Sequence, residues 1–270
     1  QYDTRGDVTA ITDAYNHTTT MAYDSYNNLT SITDPLNRQT YFTYDATGNR
    51  LSMTDPLGNT TSHVYNALNQ MTQMTDPKGN VTNYTYDYKG NVLTVTDANG
   101  KPTAYAYNYR GQATQITDAL NNLTRMTYGP AGCGSGCGGA DKLASLTDAL
   151  NHTTQYIYDQ AGRLTTETDP LGKVISYTYD AKGNLIIKTK PDGKTITYTY
   201  DVKNRLTQKQ YSDQSLTQFQ YDANGNMTYA GNQNIAYNFT YDANNRMTGV
   251  TDSNNRTVQS QYDAVGNRTT

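Results

Sequence analysis

Tyrosine, in nearly every case followed by aspartate or asparagine, recurs along this 270-residue chain at an almost constant spacing. Thirteen such tyrosines, here called anchor tyrosines, define twelve intervals, of which ten are 21 residues, one is 20 and one is 30. A fixed period of this length indicates copies of one small unit that pack against their neighbours. We therefore expect residues 1–270 to form a single array of about twelve repeats. The anchor tyrosines are Tyr2, Tyr23, Tyr44, Tyr65, Tyr86, Tyr107, Tyr128, Tyr158, Tyr179, Tyr200, Tyr221, Tyr241 and Tyr262.

The repeat template contains the pattern D-x-x-[GN] twice, first beside the anchor tyrosine and again near the middle of the repeat, with the aspartate replaced in some copies. Aspartate at the first position of a type I turn accepts a hydrogen bond from the backbone two residues on, and glycine or asparagine supplies the left-handed residue that follows. The pattern therefore predicts two chain reversals per repeat. The residues that we expect to act as structural anchors are Tyr23, Asp24, Tyr44, Asp45, Gly48, Asp55, Gly58, Tyr86, Asp87, Gly90, Tyr179, Asp180 and Gly183.

The segments between the turns are short and have the periodicity of strands. The segment before each anchor tyrosine alternates, with aromatic residues two apart as at Tyr84 and Tyr86 and threonine between them. The other segment places apolar residues three apart, as at Leu29 and Ile32. Strict alternation cannot bury both members of that pair, so we expect a β-bulge just after the first turn.

Two strands per repeat predict an all-β fold in which each repeat is a β-hairpin and the hairpins form one long coiled antiparallel β-strip. Twist accumulates in long open sheets, so the strip is expected to coil with its tyrosine and aliphatic side inward. The alternative is a parallel β-solenoid in which each repeat forms one coil. Antiparallel pairing between neighbouring segments would favour the hairpins, whereas parallel pairing between successive repeats would favour the solenoid.

Composition and charge exclude several classes of function. The net charge is −3 with the two signs mixed along the chain, so no basic stripe for nucleic acid is expected. No apolar run is long enough to cross a bilayer, so no membrane insertion is expected. The chain starts at Gln1 inside a repeat and stops at Thr270 just after another repeat begins, which suggests a fragment of a longer protein.

The motif Y-D-x-x-G-N-x-x-x-x-T-D-P-x-G-N is intact from Tyr44 to Asn59. It resembles the YD-repeat or RHS-repeat family, and the resemblance covers essentially the whole chain. It implies a β-strip that spirals into a hollow shell, which in bacteria commonly encloses a C-terminal toxin and in teneurin-like receptors forms an extracellular barrel. The self-cleavage segment and effector of the bacterial toxins have no counterpart in this sequence.

The resemblance implies a non-catalytic structural scaffold, a segment of a shell that encapsulates a cargo or C-terminal toxin polypeptide, secreted by or exposed on a bacterium. The alternative is an extracellular fibre or a cell-surface adhesin that binds glycans or other copies of itself. An enzyme is not expected, because an active site requires a singular constellation and this chain repeats its polar residues. No cofactor or metal is expected.

One insertion, residues 129–140, interrupts the array and contains Cys133 and Cys137. The first interpretation is a flexible hairpin extension, and the second is a local disulfide between the two cysteines. A zinc site is least favoured, because two thiolates lack the further ligands that zinc requires.

Three histidines come from separate repeats, and no nucleophile accompanies them. His17 and His152 follow a second turn at equivalent places, and His63 lies in a strand segment. The sequence from Asp222 to Asn226 superficially resembles a calcium loop but lacks the terminal glutamate of such loops. We expect structural turns at these places.

Overall fold

The computed structural model describes residues 1–129, 141–263 and 266–269 of the chain. Cys133 and Cys137 lie outside the described residues. The described residues contain 24 β-strands and no helix. The first twelve strands, β1 to β12, are Ala10–Thr12, Thr18–Tyr23, Leu29–Thr33, Gln39–Tyr44, Arg50–Thr54, Thr60–Tyr65, Met71–Thr75, Val81–Tyr86, Val92–Thr96, Pro102–Tyr107, Ala113–Thr117 and Leu123–Tyr128. The next twelve, β13 to β24, are Leu143–Thr147, Thr153–Tyr158, Leu164–Thr168, Val174–Tyr179, Leu185–Thr189, Thr195–Tyr200, Leu206–Tyr211, Leu216–Tyr221, Met227–Asn232, Ala236–Tyr241, Met247–Asp252 and Thr257–Gln259.

The chain divides into two compact units, Gln1–Arg125 and Met126–Thr270. In the first unit each strand from β1 to β11 pairs antiparallel with the next, and β11 pairs with the start of β12. In the second unit the strands from β13 to β24 pair in the same consecutive way. The predicted all-β antiparallel hairpin array is confirmed, and the parallel solenoid is excluded.

Among the described residues, the predicted bulge after the first turn is present in ten hairpins, five in each unit. In the hairpin of β2 and β3, Tyr23 lies opposite Leu29 whereas Ala22 lies opposite Ser31. Thr30 is therefore the extra residue, and its hydroxyl donates to the Ala22 carbonyl at 3.1 Å. The bulge changes the parity of the strand, so that apolar residues three apart lie on one side of the sheet.

The turns have the predicted geometry. In the turn after β5, the Gly58 N–H donates to the Asp55 carbonyl at 2.9 Å and the Asp55 N–H donates to the Asn59 carbonyl at 2.9 Å. Gly58 has a φ of 82°, the left-handed conformation that the pattern requires. Asparagine occupies the same turn position in other repeats, as Asn37 does with a φ of 60°.

Two repeats depart from the common length. In the 20-residue repeat the Asn232 N–H donates to the carbonyl of Ile235, one residue nearer than in the other turns. In the 30-residue interval the Gly129 N–H donates to the Lys142 carbonyl at 3.2 Å. The strands on either side of both sites keep their ordinary lengths.

Each unit is a single layer of sheet. Among the described residues, strands contact only the strands that precede and follow them in sequence. The buried apolar residues in the described part of the chain are Ala10 and Ala144. Stability must therefore come from contacts between neighbouring strands, as in other repeat proteins, rather than from a thick core.

Candidate functional site

One side of the sheet carries the anchor tyrosines, and we call it the tyrosine face. In the hairpin of β8 and β9, Tyr86 lies opposite Val92 and Tyr84 lies opposite Val95. Directly opposed residues and residues two apart share a side of a sheet. Tyr84 and Tyr86 are half-buried, whereas Thr85, on the other side, is exposed. The tyrosine face thus combines rows of aromatic rings with rows of aliphatic side chains.

The anchor tyrosine also connects successive repeats. The ladder between β7 and β8 ends at the pair Gln73 and Asn83, which leaves the Met71 carbonyl beyond it. The Tyr86 hydroxyl donates to that carbonyl at 2.6 Å. The same bond links Tyr23 to Val8, Tyr65 to Arg50, Tyr107 to Val92, Tyr179 to Leu164, Tyr200 to Leu185, Tyr221 to Leu206, Tyr241 to Met227 and Tyr262 to Met247.

Most turns are organised around an aspartate carboxylate. Asp45 Oδ1 accepts the backbone N–H groups of Thr47 and Asn49, both at 2.9 Å, and Oδ2 accepts the Asn49 side-chain amide at 2.9 Å. The Asn49 amide, followed by the Thr47 hydroxyl, lowers the pKa of Asp45 to about 2. Asp24, Asp55, Asp87 and Asp180 accept from the asparagine four residues on in the same way.

The sequence interpretation missed the residue four positions after each turn aspartate. Where it is not asparagine, it is often arginine or histidine, and its side chain again binds the second carboxylate oxygen. Arg38 Nε donates to Asp34 Oδ2 at 2.6 Å, and His17 Nδ1 lies 3.0 Å from Asp13 Oδ2. The sequence did contain this residue, as the asparagine of the G-N pair that ends each half of the repeat motif.

Three of these arginines also reach the next repeat. Arg205 Nε donates to Asp201 Oδ2 at 2.6 Å, while Nη1 donates to the Asp222 carbonyl at 3.0 Å. The guanidinium lies 4.7 Å from the centroid of the Tyr221 ring, within the range of a cation–π contact. Arg163 and Arg246 make the same set of contacts.

The predicted anchors occupy the places described by these patterns. Tyr44 lies on the tyrosine face opposite Arg50. The four predicted glycines all have a left-handed backbone, with φ values of 86° at Gly48, 82° at Gly58, 90° at Gly90 and 93° at Gly183.

The histidines are separated. His152, like His17, lies in a turn, with Nδ1 3.0 Å from Asp148 Oδ2. His63 lies on the tyrosine face opposite Met74, where burial and then the charge of Arg50 lower its pKa. Within the described ranges no three histidine, cysteine, aspartate or glutamate side chains form a group that could hold a metal. The same residues contain no helix long and apolar enough to span a membrane.

An open cleft of about 590 Å³ lies in the second unit, beside three successive second turns. These turns begin at Lys190, Tyr211 and Asn232 rather than at aspartate. Ser212 Oγ accepts the Thr195 N–H at 2.6 Å and donates to the Thr195 carbonyl at 3.0 Å. These two bonds connect the turn that begins at Tyr211 to the preceding hairpin. The three second turns that do not begin at aspartate therefore lie together at this cleft.

Comparison with known proteins agrees with this architecture. The chain superposes on the structure of TcdB2-TccC3-Cdc42 with a TM-score of 0.56 and 17% identity, covering 99% of this chain and 18% of the other. It superposes on the Tc holotoxin pore of Photorhabdus luminescens with the same score, identity and coverage. For TcdB2-TccC3 the TM-score is 0.54 at 14% identity, with 99% and 20% of the chains covered. The chain thus spans about a fifth of the length of these structures, and among curated proteins no match is found.

A family model described as RHS Repeat matches residues 2–39, 23–60, 44–81, 65–102, 86–122, 139–174, 158–195, 179–216 and 241–270. These overlapping matches cover most of the chain and follow the period of the anchor tyrosines. The residues that recur with this period are the turn aspartates, the left-handed glycines and the tyrosines that link neighbouring hairpins. The chain therefore belongs to the RHS repeat family.

Proposed function

We propose that the chain is a segment of an RHS-type shell and that its tyrosine face contacts a polypeptide held inside that shell. One observation carries the proposal: each unit has a broad aromatic and aliphatic face that no second layer of the described residues covers. Uncovered apolar faces of sheets normally bury themselves against another layer or a partner. One of the structures that share the fold is named as a Tc holotoxin pore, which supports enclosure of a toxin-like cargo.

We propose that this segment acts as a scaffold with no chemistry of its own. Its polar groups are used to hold the fold. The turn carboxylates, as at Asp45 and Asp201, bind the backbone and side chains of their own turns. A carboxylate held by three donors has few free lone pairs for a substrate. Delivery outside the producing bacterium, by secretion or at the cell surface, follows from a shell that carries a toxin and is part of this proposal.

The test uses the full-length protein, with a photo-crosslinking amino acid placed on either side of one strand. Position Tyr84 lies on the tyrosine face and position Thr85 lies on the other side. We expect irradiation to link position 84, and not position 85, to the polypeptide encoded after the array. Equal crosslinking from both positions, or none from position 84 in a folded protein, would contradict the shell.

A second candidate is self-association or glycan binding at the edges of the strip. It is favoured by leucines at the tips of second turns, where Leu36 is 72% exposed and Leu57 is 87% exposed. Sedimentation at increasing concentration tests the association, and a glycan array tests the adhesin. A monomer at all concentrations together with a flat array would exclude this candidate and leave the shell.

A further inference from the structure

The tyrosine face is not uniform along the chain. In each hairpin, one side chain lies opposite the residue that stands two positions before the anchor tyrosine. In the first unit this side chain is aliphatic. In three successive repeats of the second unit, the same place carries charges instead. The aliphatic residues are Ile32, Met53, Met74, Val95 and Ile116. The charged residues are Glu167, Lys188 and Lys209, and Glu167 is the only glutamate of the chain.

The two lysines are held by aromatic rings and not by carboxylates. Lys188 lies opposite Tyr177, and its ammonium is 5.5 Å from the centroid of that ring. Lys209 lies opposite Tyr198, and its ammonium is 5.7 Å from the centroid of Phe219. Both lysines are half-buried, and within the described part of the chain neither ammonium has an ion pair. The aliphatic stems of both lysines therefore pack on the tyrosine face, while no carboxylate of the described residues neutralises their ammonium groups.

A half-buried ammonium gains more from a carboxylate than an exposed one does, because less water screens the pair. A ring attracts the cation but does not neutralise it. Glu167 does not fill the role, since its carboxylate accepts the Tyr177 hydroxyl at 3.4 Å and forms no ion pair among the described residues. This part of the face is thus complementary to acidic groups.

The spacing of the lysines indicates the conformation of the partner. They occupy equivalent places two strands apart, a separation of about 9.6 Å. In a polyproline II segment, residues three apart point in the same direction and are about 9.3 Å apart. In a β-strand, by contrast, residues three apart point in opposite directions. Aromatic rows such as those of Tyr177 and Tyr198 are also the surfaces on which proline-rich segments dock.

We propose that Lys188 and Lys209 bind an acidic polypeptide segment in the polyproline II conformation, with carboxylates at every third residue, laid across the strands of the tyrosine face. This inference rests on the proposed function, because it names the kind of sequence that the enclosed polypeptide presents there. The aromatic rows on either side offer rings on which the proline residues between the carboxylates can pack.

The test measures binding of the peptide (Glu-Pro-Pro)4 to this chain by fluorescence anisotropy. The variant Lys188→Met with Lys209→Met removes both charges, and methionine is already native at this place in Met53 and Met74. We expect binding at least about ten-fold weaker, equivalent to about 1.4 kcal/mol. The matched control, Lys173→Met with Lys182→Met, removes two exposed lysines of the same unit and is expected to change binding less than two-fold.

Two further peptides test the chemistry and the spacing. The peptide (Gln-Pro-Pro)4 has no charge, and a peptide of the same composition with its four glutamates adjacent loses the three-residue spacing; both are expected to bind at least about ten-fold more weakly. Equal binding of the adjacent-glutamate peptide overturns the polyproline II geometry. Equal binding by the Lys188→Met, Lys209→Met variant overturns the site.

A sulphated oligosaccharide provides the competing outcome. If it binds more tightly than (Glu-Pro-Pro)4 and depends on the same lysines, the partner is a polyanion and the polypeptide assignment is wrong. These results are separable from the shell, because crosslinking from position 84 tests enclosure in the first unit and involves neither lysine. Crosslinking with no peptide binding would retain the shell and overturn only this site.

Discussion

At the scale of single residues, the turn aspartate is the most heavily used side chain of the array. Its two oxygens accept two backbone N–H groups and, in most turns, one side-chain donor, as at Asp45 and Asp87. These bonds favour the ionised carboxylate, and the pKa of sixteen described turn aspartates is lowered as a result. The stability of the folded chain therefore depends on the protonation of these aspartates.

The pH dependence of stability follows from the sign of this shift. Because folding lowers the pKa of Asp45 from 3.8 to about 2, the folded chain binds fewer protons than the unfolded chain in this range. The stability contributed by the turns is fully present above pH 3.8 and is lost as the pH falls toward 2. We expect the urea midpoint to be constant from pH 7 to 5 and to fall steeply between about pH 4 and 2. A midpoint unchanged at about pH 2.5 would contradict the linkage.

The left-handed turn position provides a second test at this scale. Gly58 has a φ of 82°, and a Cβ added there would meet open space, so any penalty of a side chain is one of backbone conformation. We expect Gly58→Ala to lower the free energy of unfolding by about 1 kcal/mol. Gly58→Asn is the control, because Asn37 adopts this conformation in the preceding repeat, and it is expected to cost less than half as much. Urea denaturation measures both, and equal losses would contradict the argument.

At the scale of the hairpin, the anchor tyrosine stabilises the end of the hydrogen-bond ladder between two neighbouring repeats. The Tyr86 hydroxyl satisfies the Met71 carbonyl beyond the end of the ladder between β7 and β8. We expect Tyr86→Phe to lower the free energy of unfolding by about 1 kcal/mol, since it removes a hydrogen bond from a half-buried carbonyl. Tyr84→Phe is the matched control, because Phe42 is native at the equivalent place. Equal losses in the two variants would contradict this explanation, because the cost would then come from removing either hydroxyl and not from the bond to the Met71 carbonyl.

The hairpins were predictable from the sequence to a greater extent than the contacts between them. Aspartate and glycine encode the turns locally, and the three-residue spacing of Leu29 and Ile32 indicated the bulge. The arginine contacts, such as that of Arg205 with the Asp222 carbonyl, join residues 17 apart and depend on how one repeat lies beside the next. No local pattern specifies that distance. The charged places at Lys188 and Lys209 were likewise recognisable only after pairing had defined the two sides of the sheet.

At the scale of the whole array, the described strands keep nearly constant lengths where the spacing of the anchor tyrosines changes. The shortened turn at Asn232 and the insertion that begins after Tyr128 both leave the neighbouring strands intact. A residue removed from a strand would instead move every following side chain to the opposite side of the sheet. We therefore expect the array to keep its stability when a whole repeat is inserted and to lose stability when part of a repeat is inserted.

Duplication of one repeat within the first unit tests this property. A second copy of residues 66–86, inserted after Tyr86, adds two strands and one more set of neighbour contacts. Because the stability of repeat arrays grows with the number of neighbour interfaces, we expect an unchanged circular dichroism spectrum per residue and an equal or higher urea midpoint. The control is the same insertion without Thr85, which shifts the register by one residue and is expected to lower the midpoint and broaden the transition. Equal stability of the two insertions would mean that the strands tolerate a change of face, and the tyrosine face would then not be what holds the repeats in register.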